Sequence, residues 1–279
     1  MPSPSPAPRD PSAPEIDPAR HVRVVAVDDP QPAGELAWWG RPLAETRWTL
    51  ELARLLVDPV LRGEGIPRGD GRPVLLMPGF LAGDQTLAVM AGWLRRIGYR
   101  PHVCGFVANV DCSGRALDRV ERRVAALHER YGRRVALVGH SRGGHFSRAA
   151  GARNPERVSH AISLGADLSA MFAISVPTKV AVAAVRRGMR ITRRAQSEHC
   201  LSDRCTCAFT LGYAAPFPTE HVRLTSIFSK GDGVVRWRSS VVPEACCVEV
   251  TGSHVGLAFN RKAYRAIAEA LALPELAGS

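Results

Sequence analysis

Short apolar runs alternate with amphipathic stretches along most of the chain from residue 73 onward. The apolar runs are short and largely continuous, as expected for strands that are buried on both faces of a sheet. They predict strands at 74–77, 102–107, 135–139, 161–166, 223–229 and 247–250. Between them, apolar residues recur at helical spacing, which predicts helices at 84–98, 114–132, 145–154 and about 257–271. This alternation predicts an α/β fold with a mainly parallel central sheet and helices on both faces.

The chain before residue 73 follows a different pattern. Its first 20 residues are rich in proline and poor in large apolar side chains, which predicts a disordered tail. HVRVVAV, residues 21–27, predicts a short strand. Residues 42–57 predict a helix whose packed side consists of Trp48, Leu52, Leu55 and Leu56. We therefore expect three regions, namely a tail at 1–20, an N-terminal extension at 21–70 and a main domain at 71–279.

A long segment between the strands at 161–166 and 223–229 does not fit the alternation. This insertion, about residues 168–220, contains VPTKVAVAAVRRGMRITRRA, in which Val182, Val185 and Met189 recur at helical spacing. The remaining surface of this predicted helix is crowded by Arg186, Arg187, Arg190, Arg193 and Arg194. An insertion of this length in a compact α/β domain usually has a function. The alternative is a solvated helix that covers the edge of the sheet.

The chain is basic, with a formal net charge of +11 at pH 7. Such a charge favours anionic surfaces, and the arginine-rich helix is the place where an anionic membrane surface would make contact. No motif of the known nucleic-acid-binding domains occurs, so nucleic acid is not an expected partner. The sequence also lacks a secretory signal and an apolar run long enough to span a membrane. We therefore expect a cytoplasmic protein that is at most peripheral to the membrane.

Seven cysteines leave at least one thiol unpaired. Three of them lie in HCLSDRCTC, residues 199–207, whose spacing lacks the paired C-x2-C arms of a zinc site. We therefore expect no metal there and favour a disulfide within this loop, or from it to Cys246 or Cys247. Buried or free thiols are the alternative in a reducing cytoplasm.

The sequence LVGHSRGG places a serine, Ser141, between two glycines directly after a predicted strand. Gly139 and Gly143 complete the pattern G-x-S-x-G, which forms a sharp turn from a strand into a helix. This turn exposes the serine at the carboxyl edge of the sheet, with the positive amino end of a helix behind it. Ser141 is therefore the candidate nucleophile, provided that other segments supply a base and oxyanion donors.

Two later strand ends supply an acid and a base in the order that this turn predicts. Asp232 and His254 each lie in the loop after a predicted strand. Loops at the ends of neighbouring parallel strands meet at one edge of the sheet, where such sheets bind ligands. Asp167, which follows the strand before these two, is an alternative acid. His140, next to the nucleophile, is expected to point away from it and to form local contacts.

Backbone amides that face the oxyanion are expected from two places. One is the amide of Arg142, the residue after the nucleophile. The other lies in MPGFLAG, residues 77–83, which follows the first strand of the main domain. There Gly79 allows a close approach of the backbone, and the amide of Phe80 is the candidate donor.

With MPGF, GHSRGG, SKGDGVV and GSHVG in this order and spacing, residues 71–272 resemble the α/β-hydrolase superfamily, in particular its bacterial lipases and esterases. The resemblance implies that Ser141 attacks an ester carbonyl, that His254 takes its proton, and that Asp232 orients the histidine. It implies a small-molecule ester or lipid as substrate, and this chemistry uses no cofactor and no metal.

The resemblance also implies that the insertion forms a cap or lid over an acyl pocket. The candidate substrate-binding residues are Phe80, Leu81, Met171, Phe172, Ile174 and Val255. Arg142 occupies a position that is often apolar in lipases, so it either favours an anionic or polar group or forms an ion pair. Thioester hydrolysis, amide hydrolysis and acyl transfer to an alcohol use the same acyl-enzyme and stay open. A non-catalytic binding protein on this scaffold is the alternative from a different class.

Overall fold

A computed structural model describes residues 39–40, 42–195, 197, 199–202 and 204–277. The predicted tail at 1–20 and the predicted strand at 21–27 lie outside these residues. The predicted α/β fold is confirmed by a single six-stranded parallel sheet in the order β2-β1-β3-β4-β5-β6. In chain order the strands are β1 (Pro73–Met77), β2 (Arg100–Val103), β3 (Val135–His140), β4 (Val158–Leu164), β5 (Arg223–Ser229) and β6 (Cys246–Val250).

The helices cover both faces of this sheet. They are α1 (Trp48–Val57), α2 (Pro59–Arg62), α3 (Ala88–Arg96), α4 (Ser113–Tyr131), α5 (Arg142–Arg153), α6 (Val176–Ile191), α7 (Ala208–Ala214) and α8 (Arg261–Ala272). Three of the predicted helices begin with a 3-10 turn, namely Pro42–Arg47 before α1, Asp84–Leu87 before α3 and Val255–Phe259 before α8. The strands β1, β3 and β4 are buried at every position, which explains why β1 and most of β3 are continuous apolar runs, whereas β4 also buries Ser159, His160 and Ser163.

Alternate residues of the strands feed two separate cores, one on each face of the sheet. In β1, Val74 and Leu76 point to one core, whereas Leu75 and Met77 point to the other. The first core is completed by side chains from α1, α3 and α8, such as Leu55, Trp93 and Tyr264. The second is completed by α4, α5 and α7 through Leu117, Phe146 and Phe209. The N-terminal extension therefore packs on the opposite face of the sheet from α4, α5 and α7.

The packed side of α1 differs from the predicted one. Leu55 is buried as predicted, but Leu56 is 57% exposed and Trp48 is 37% exposed. Glu51 is buried instead, and its carboxylate accepts hydrogen bonds from the amide and the hydroxyl of Ser253 at 2.9 and 2.8 Å. A buried carboxylate is tolerated when it is hydrogen-bonded, so a hydrophobic pattern alone misassigns this face.

A polar contact also fastens the extension to the last helix. The side chain of Asp58 accepts the amide hydrogen of Val60 at the start of α2 and pairs with Arg261 and Arg265 of α8, each at 3.1 Å. Burial disfavours the charged carboxylate, but the Val60 amide and the two guanidinium groups hold the pKa of Asp58 below its usual value. These contacts place α1 beside the loop that follows β6.

The insertion contains α6 and α7. Met189 is buried, and Val182 and Val185 pack against it together with Cys112, Cys200 and Leu201, so the predicted apolar side of α6 is confirmed. Arg187, Arg190, Arg193 and Arg194 are exposed, and Arg186 is half-buried. Among the described residues, no helix has the length and apolar character needed to cross a bilayer.

The favoured disulfide, within the 199–207 loop or from it to Cys246 or Cys247, is not formed, because Cys205, Cys207, Cys246 and Cys247 carry free thiols. The Sγ of Cys200 is 3.1 Å from the Sγ of Cys112, just before α4. Cys246 is exposed and Cys247 is buried in a separate cluster with Phe228 and Val241. Within the described part of the chain, no three potential metal ligands come together.

Candidate active site

Ser141 lies in a strained turn between β3 and α5. Its φ of 52° and ψ of −121° are unusual for a residue with a side chain, and its amide donates to the Leu164 carbonyl at 2.7 Å. Both flanking glycines are required by close backbone contacts. A Cβ on Gly139 would lie 2.0 Å from the oxygen of Gly143, and one on Gly143 would lie 2.1 Å from the oxygen of Met77. The local sequence therefore forms a sharp turn from strand to helix that places Ser141 at the carboxyl edge of the sheet.

Asp232 and His254 meet at the same edge, in the loops after β5 and β6. The Nδ1 of His254 donates to Oδ2 of Asp232 at 2.7 Å, and both side chains are buried. The other carboxylate oxygen of Asp232 accepts the amides of Val234 and Val235 at 2.8 and 2.7 Å. The carboxylate is thus held in one orientation against the Nδ1 of His254.

The electrostatics around His254 favour its protonated form. Burial alone lowers the pKa of this imidazole, but the charge and hydrogen bond of Asp232 outweigh burial and raise the pKa above its usual value. His140 behaves in the opposite way, because burial lowers its pKa to about 4 and leaves it neutral. Its Nε2 donates to the His254 carbonyl at 2.8 Å, so His140 holds the backbone of the loop after β6 that contains His254.

Asp167, the alternative acid, has different partners. One of its oxygens pairs with Nε2 of His145, and the other accepts the amide of Ala173 at 2.8 Å. The hydroxyl of Tyr213 donates to its backbone carbonyl. Asp167 therefore connects α5, α7 and the start of the insertion, whereas Asp232 is the carboxylate that is hydrogen-bonded to His254.

Arg142 directs its side chain away from solvent and into the loop at 109–113. Its guanidinium donates to the carbonyl and side-chain oxygens of Asn109 at 2.8 and 3.0 Å, to the carbonyl of Asp111 at 2.7 Å, and to the hydroxyl of Ser113 at 3.1 Å. Burial lowers the pKa of Arg142 to about 10, which still leaves it charged at neutral pH. The carboxylate of Asp111 pairs with Arg115 instead, at 2.6 Å. Arg142 therefore holds this loop through neutral oxygens and not through an ion pair.

A pocket opens beside Ser141, with about 590 Å³ of space that includes part of its mouth. Phe80, Met171, Phe172 and Ile174, which the sequence nominated, are among its lining residues. Leu81 and Val255 are not, and they are 56% and 39% exposed. Further lining comes from residues that the sequence did not indicate, namely Ser113, Thr178, Val182, Leu201, Phe209, Val234 and Val235.

His145 also lines this pocket and was not predicted to have a role. It lies in the first turn of α5, and Ser141 directly precedes that helix. The position of His145 four residues after the serine of G-x-S-x-G was the available indication in the sequence. Its ring contacts Tyr213 edge-on, with the centroids 5.5 Å apart, while its Nε2 faces Asp167.

Solved structures of two known proteins share the fold of this chain. No family model matches the sequence, and no curated protein matches it. The mature lipase BlEst2 from Bacillus licheniformis is 13% identical and superimposes with a TM-score of 0.50, covering 75% of this chain and 95% of its own. A soluble variant of monoglyceride lipase from Saccharomyces cerevisiae, solved with a substrate analogue, is 12% identical with a TM-score of 0.51, covering 74% and 89%. Together with the six-stranded parallel sheet, these similarities show that the chain has the α/β-hydrolase fold.

Proposed function

We propose that the protein is a serine hydrolase that cleaves carboxylic esters through an acyl-enzyme. The observation that carries this proposal is the 2.7 Å hydrogen bond between His254 and Asp232 at the sheet edge where Ser141 occupies its strained turn. The lipase and monoglyceride lipase that share the fold are consistent with ester chemistry.

In this proposal His254 accepts the proton of Ser141 as the serine oxygen attacks the ester carbonyl. Asp232 stabilises the imidazolium that forms, and the same histidine then protonates the leaving alcohol. The amides of Arg142, at the start of α5, and of Phe80 are the proposed donors to the oxyanion. Arg142 lies at the positive end of that helix, which adds to the stabilisation of the negative charge. Water attacks the acyl-enzyme by the reverse sequence of proton transfers.

The lining of the pocket favours an apolar acyl or alcohol group. Phe80, Phe172, Ile174, Leu201 and Phe209 present carbon surface beside the nucleophile. The insertion supplies several of these side chains, so we propose that it acts as a cap over the bound substrate. The same acyl-enzyme would also serve a thioesterase or an acyltransferase, and a panel of acyl donors and acceptors separates these reactions.

Covalent labelling provides the direct test of this proposal. We expect a fluorophosphonate probe to attach to Ser141, because the probe reacts with a serine that an adjacent histidine activates. Mass spectrometry of the digested protein identifies the modified peptide, and His254→Gln provides a variant that should label far more slowly. A folded protein that remains unlabelled would favour the non-catalytic binding protein instead.

The exposed arginines of the insertion support a proposed contact with anionic membranes. We expect the protein to bind vesicles that contain an anionic lipid, and to bind more weakly as the screening length falls from about 30 Å at 0.01 M salt to about 10 Å at 0.1 M. Each arginine near such a surface contributes about 1 kcal/mol, so Arg187→Gln with Arg194→Gln should weaken binding roughly 30-fold. Co-sedimentation measures this, with Arg122→Gln and Arg130→Gln on α4 as the matched control. Equal binding to neutral vesicles would rule out the electrostatic contact.

A further inference from the structure

The carboxylate of Glu45 contacts both the loop after β5, which contains the proposed acid Asp232, and the loop after β6, which contains the proposed base His254. One of its oxygens accepts the amide of Gly233 at 2.9 Å and the amide of His254 at 3.0 Å. The other accepts the amide of Val255 at 2.8 Å. Gly233 directly follows Asp232, so one side chain joins the loop after β5 to the loop after β6. Within the described residues, the partners of this carboxylate are these three amides and not a cation.

A second glutamate, six residues after Glu45 in the sequence, contacts the same loop. The carboxylate of Glu51 on α1 binds the amide and hydroxyl of Ser253, the residue before His254. The loop sequence has glycine where this carboxylate approaches, since a Cβ on Gly256 would lie 1.3 Å from Oε2 of Glu51. The histidine loop is therefore shaped around carboxylates that come from the N-terminal extension.

We propose that Glu45, which is 209 residues before His254 in the sequence, is a positioning residue that fixes the His254 loop and strengthens His254 as a base. This inference rests on the proposed function for its catalytic consequence. Amides at the start of a helical turn lack partners within the turn, and Glu45 satisfies those of His254 and Val255 where the turn Val255–Phe259 begins. The N-terminal extension therefore forms part of the active site without contacting the substrate.

The charge of Glu45 gives this role a signature that packing alone does not produce. The charged or titratable groups around His254 are Asp232 from the β5 loop, Glu45 from the extension, Asp167 from the β4 loop and His140 from β3. After Asp232, Glu45 raises the pKa of His254, whereas His140 is neutral above about pH 4. Glu51 contributes less to this raised pKa than Asp232, Glu45 or Asp167. Removing the charge of Glu45 should therefore lower the pKa of His254 more than removing the charge of Glu51.

The test compares Glu45→Gln with Glu51→Gln in the full chain. For hydrolysis of p-nitrophenyl acetate, kcat/KM falls at low pH as His254 becomes protonated. In Glu45→Gln we expect this acid limb to move to lower pH and kcat/KM on the plateau to drop roughly 10- to 100-fold, since small misplacements of a catalytic group have costs of this size. Glu51→Gln should move the acid limb less than Glu45→Gln does, because Glu51 contributes less to the raised pKa of His254. Glu45→Asp keeps the charge but shortens its reach, so it should lose rate while its acid limb stays nearer that of the wild type.

A titration that needs no turnover separates this inference from the proposed function. In protein labelled with 15N-histidine, the His254 signal is assigned through His254→Gln, and its pKa is measured in each variant. A larger fall of the His254 pKa in Glu45→Gln than in Glu51→Gln supports the inference even if the wild type cleaves no ester, which would overturn only the proposed function. If Glu45→Gln folds with the His254 pKa and the acid limb of Glu51→Gln, Glu45 is merely a structural contact and the inference is wrong.

Discussion

Replacing Ser141 with alanine is expected to lower kcat for p-nitrophenyl ester hydrolysis by roughly 10⁴- to 10⁶-fold. Alanine keeps the Cβ that the turn at φ 52° already accommodates, so the fold and the pocket should be unchanged. The loss therefore reports the missing Oγ. Steady-state hydrolysis with acetyl to long-chain acyl esters, compared with the wild type under identical conditions, measures this effect and the acyl-length preference together.

Ser147 provides the matched control for this substitution. It is buried on the same helix, and its hydroxyl donates only to the Gly143 carbonyl at 3.3 Å. Ser147→Ala should keep near-wild-type kcat, because losing this long internal hydrogen bond affects stability by about 1 kcal/mol at most. If Ser141→Ala retained a tenth or more of the wild-type kcat, the serine nucleophile would be the wrong assignment.

The fold was accessible from the sequence because its central strands β1, β3 and β4 are buried on both faces. Runs such as VLLM and VALVG have no polar position that could face solvent, so their length and spacing predict buried strands between helices. The turn around Ser141 was accessible for a related reason. Gly139 and Gly143 have no room for a side chain, so the close approach of two backbones leaves a recognisable pattern in the sequence.

The polar contacts that hold the loops of the site could not be predicted from the sequence in the same way. A hydrophobic pattern assigns Glu45 and Glu51 to solvent, because it carries no information about amides that come from a loop some 200 residues later. The sequence left Arg142 between an ion pair and an anionic or polar group near the site, and two of its four hydrogen-bond partners are backbone carbonyls, which any sequence supplies. Cys200 likewise lies against Cys112 through a long-range contact that spacing within its own loop does not indicate.

Leu81 and Val255 show a similar limit for pocket residues. Each directly follows a proposed site residue, Phe80 or His254, yet successive residues of a turn point in different directions. They are exposed, whereas Leu201 and Phe209 reach the pocket from the far end of the insertion. A residue's position next to a catalytic candidate in the sequence therefore predicts poorly whether it lines the pocket. The path of the chain around the site decides this instead.

The substitution Asp232→Asn tests which carboxylate works with His254. We expect kcat to fall by about 10⁴-fold, because an amide at this position no longer fixes the imidazole with its Nε2 free to accept a proton. The pKa of His254 should fall as well, since Asp232 is the group that outweighs burial and raises this pKa. The residual activity should therefore extend to lower pH than that of the wild type. The pH dependence of kcat/KM and the 15N titration of His254 measure the two effects.

Asp167→Asn provides the comparison that decides between the two candidate acids. Asp167 pairs with His145 and with the amide of Ala173, so its replacement should disturb the pocket wall and cost far less than the Asp232 substitution. A larger loss of kcat in Asp167→Asn than in Asp232→Asn would transfer the role of the acid to the β4 loop. Such a result would also require His254 to abandon its 2.7 Å hydrogen bond to Asp232 during turnover. The amides of Val234 and Val235 that hold the Asp232 carboxylate in place oppose that rearrangement.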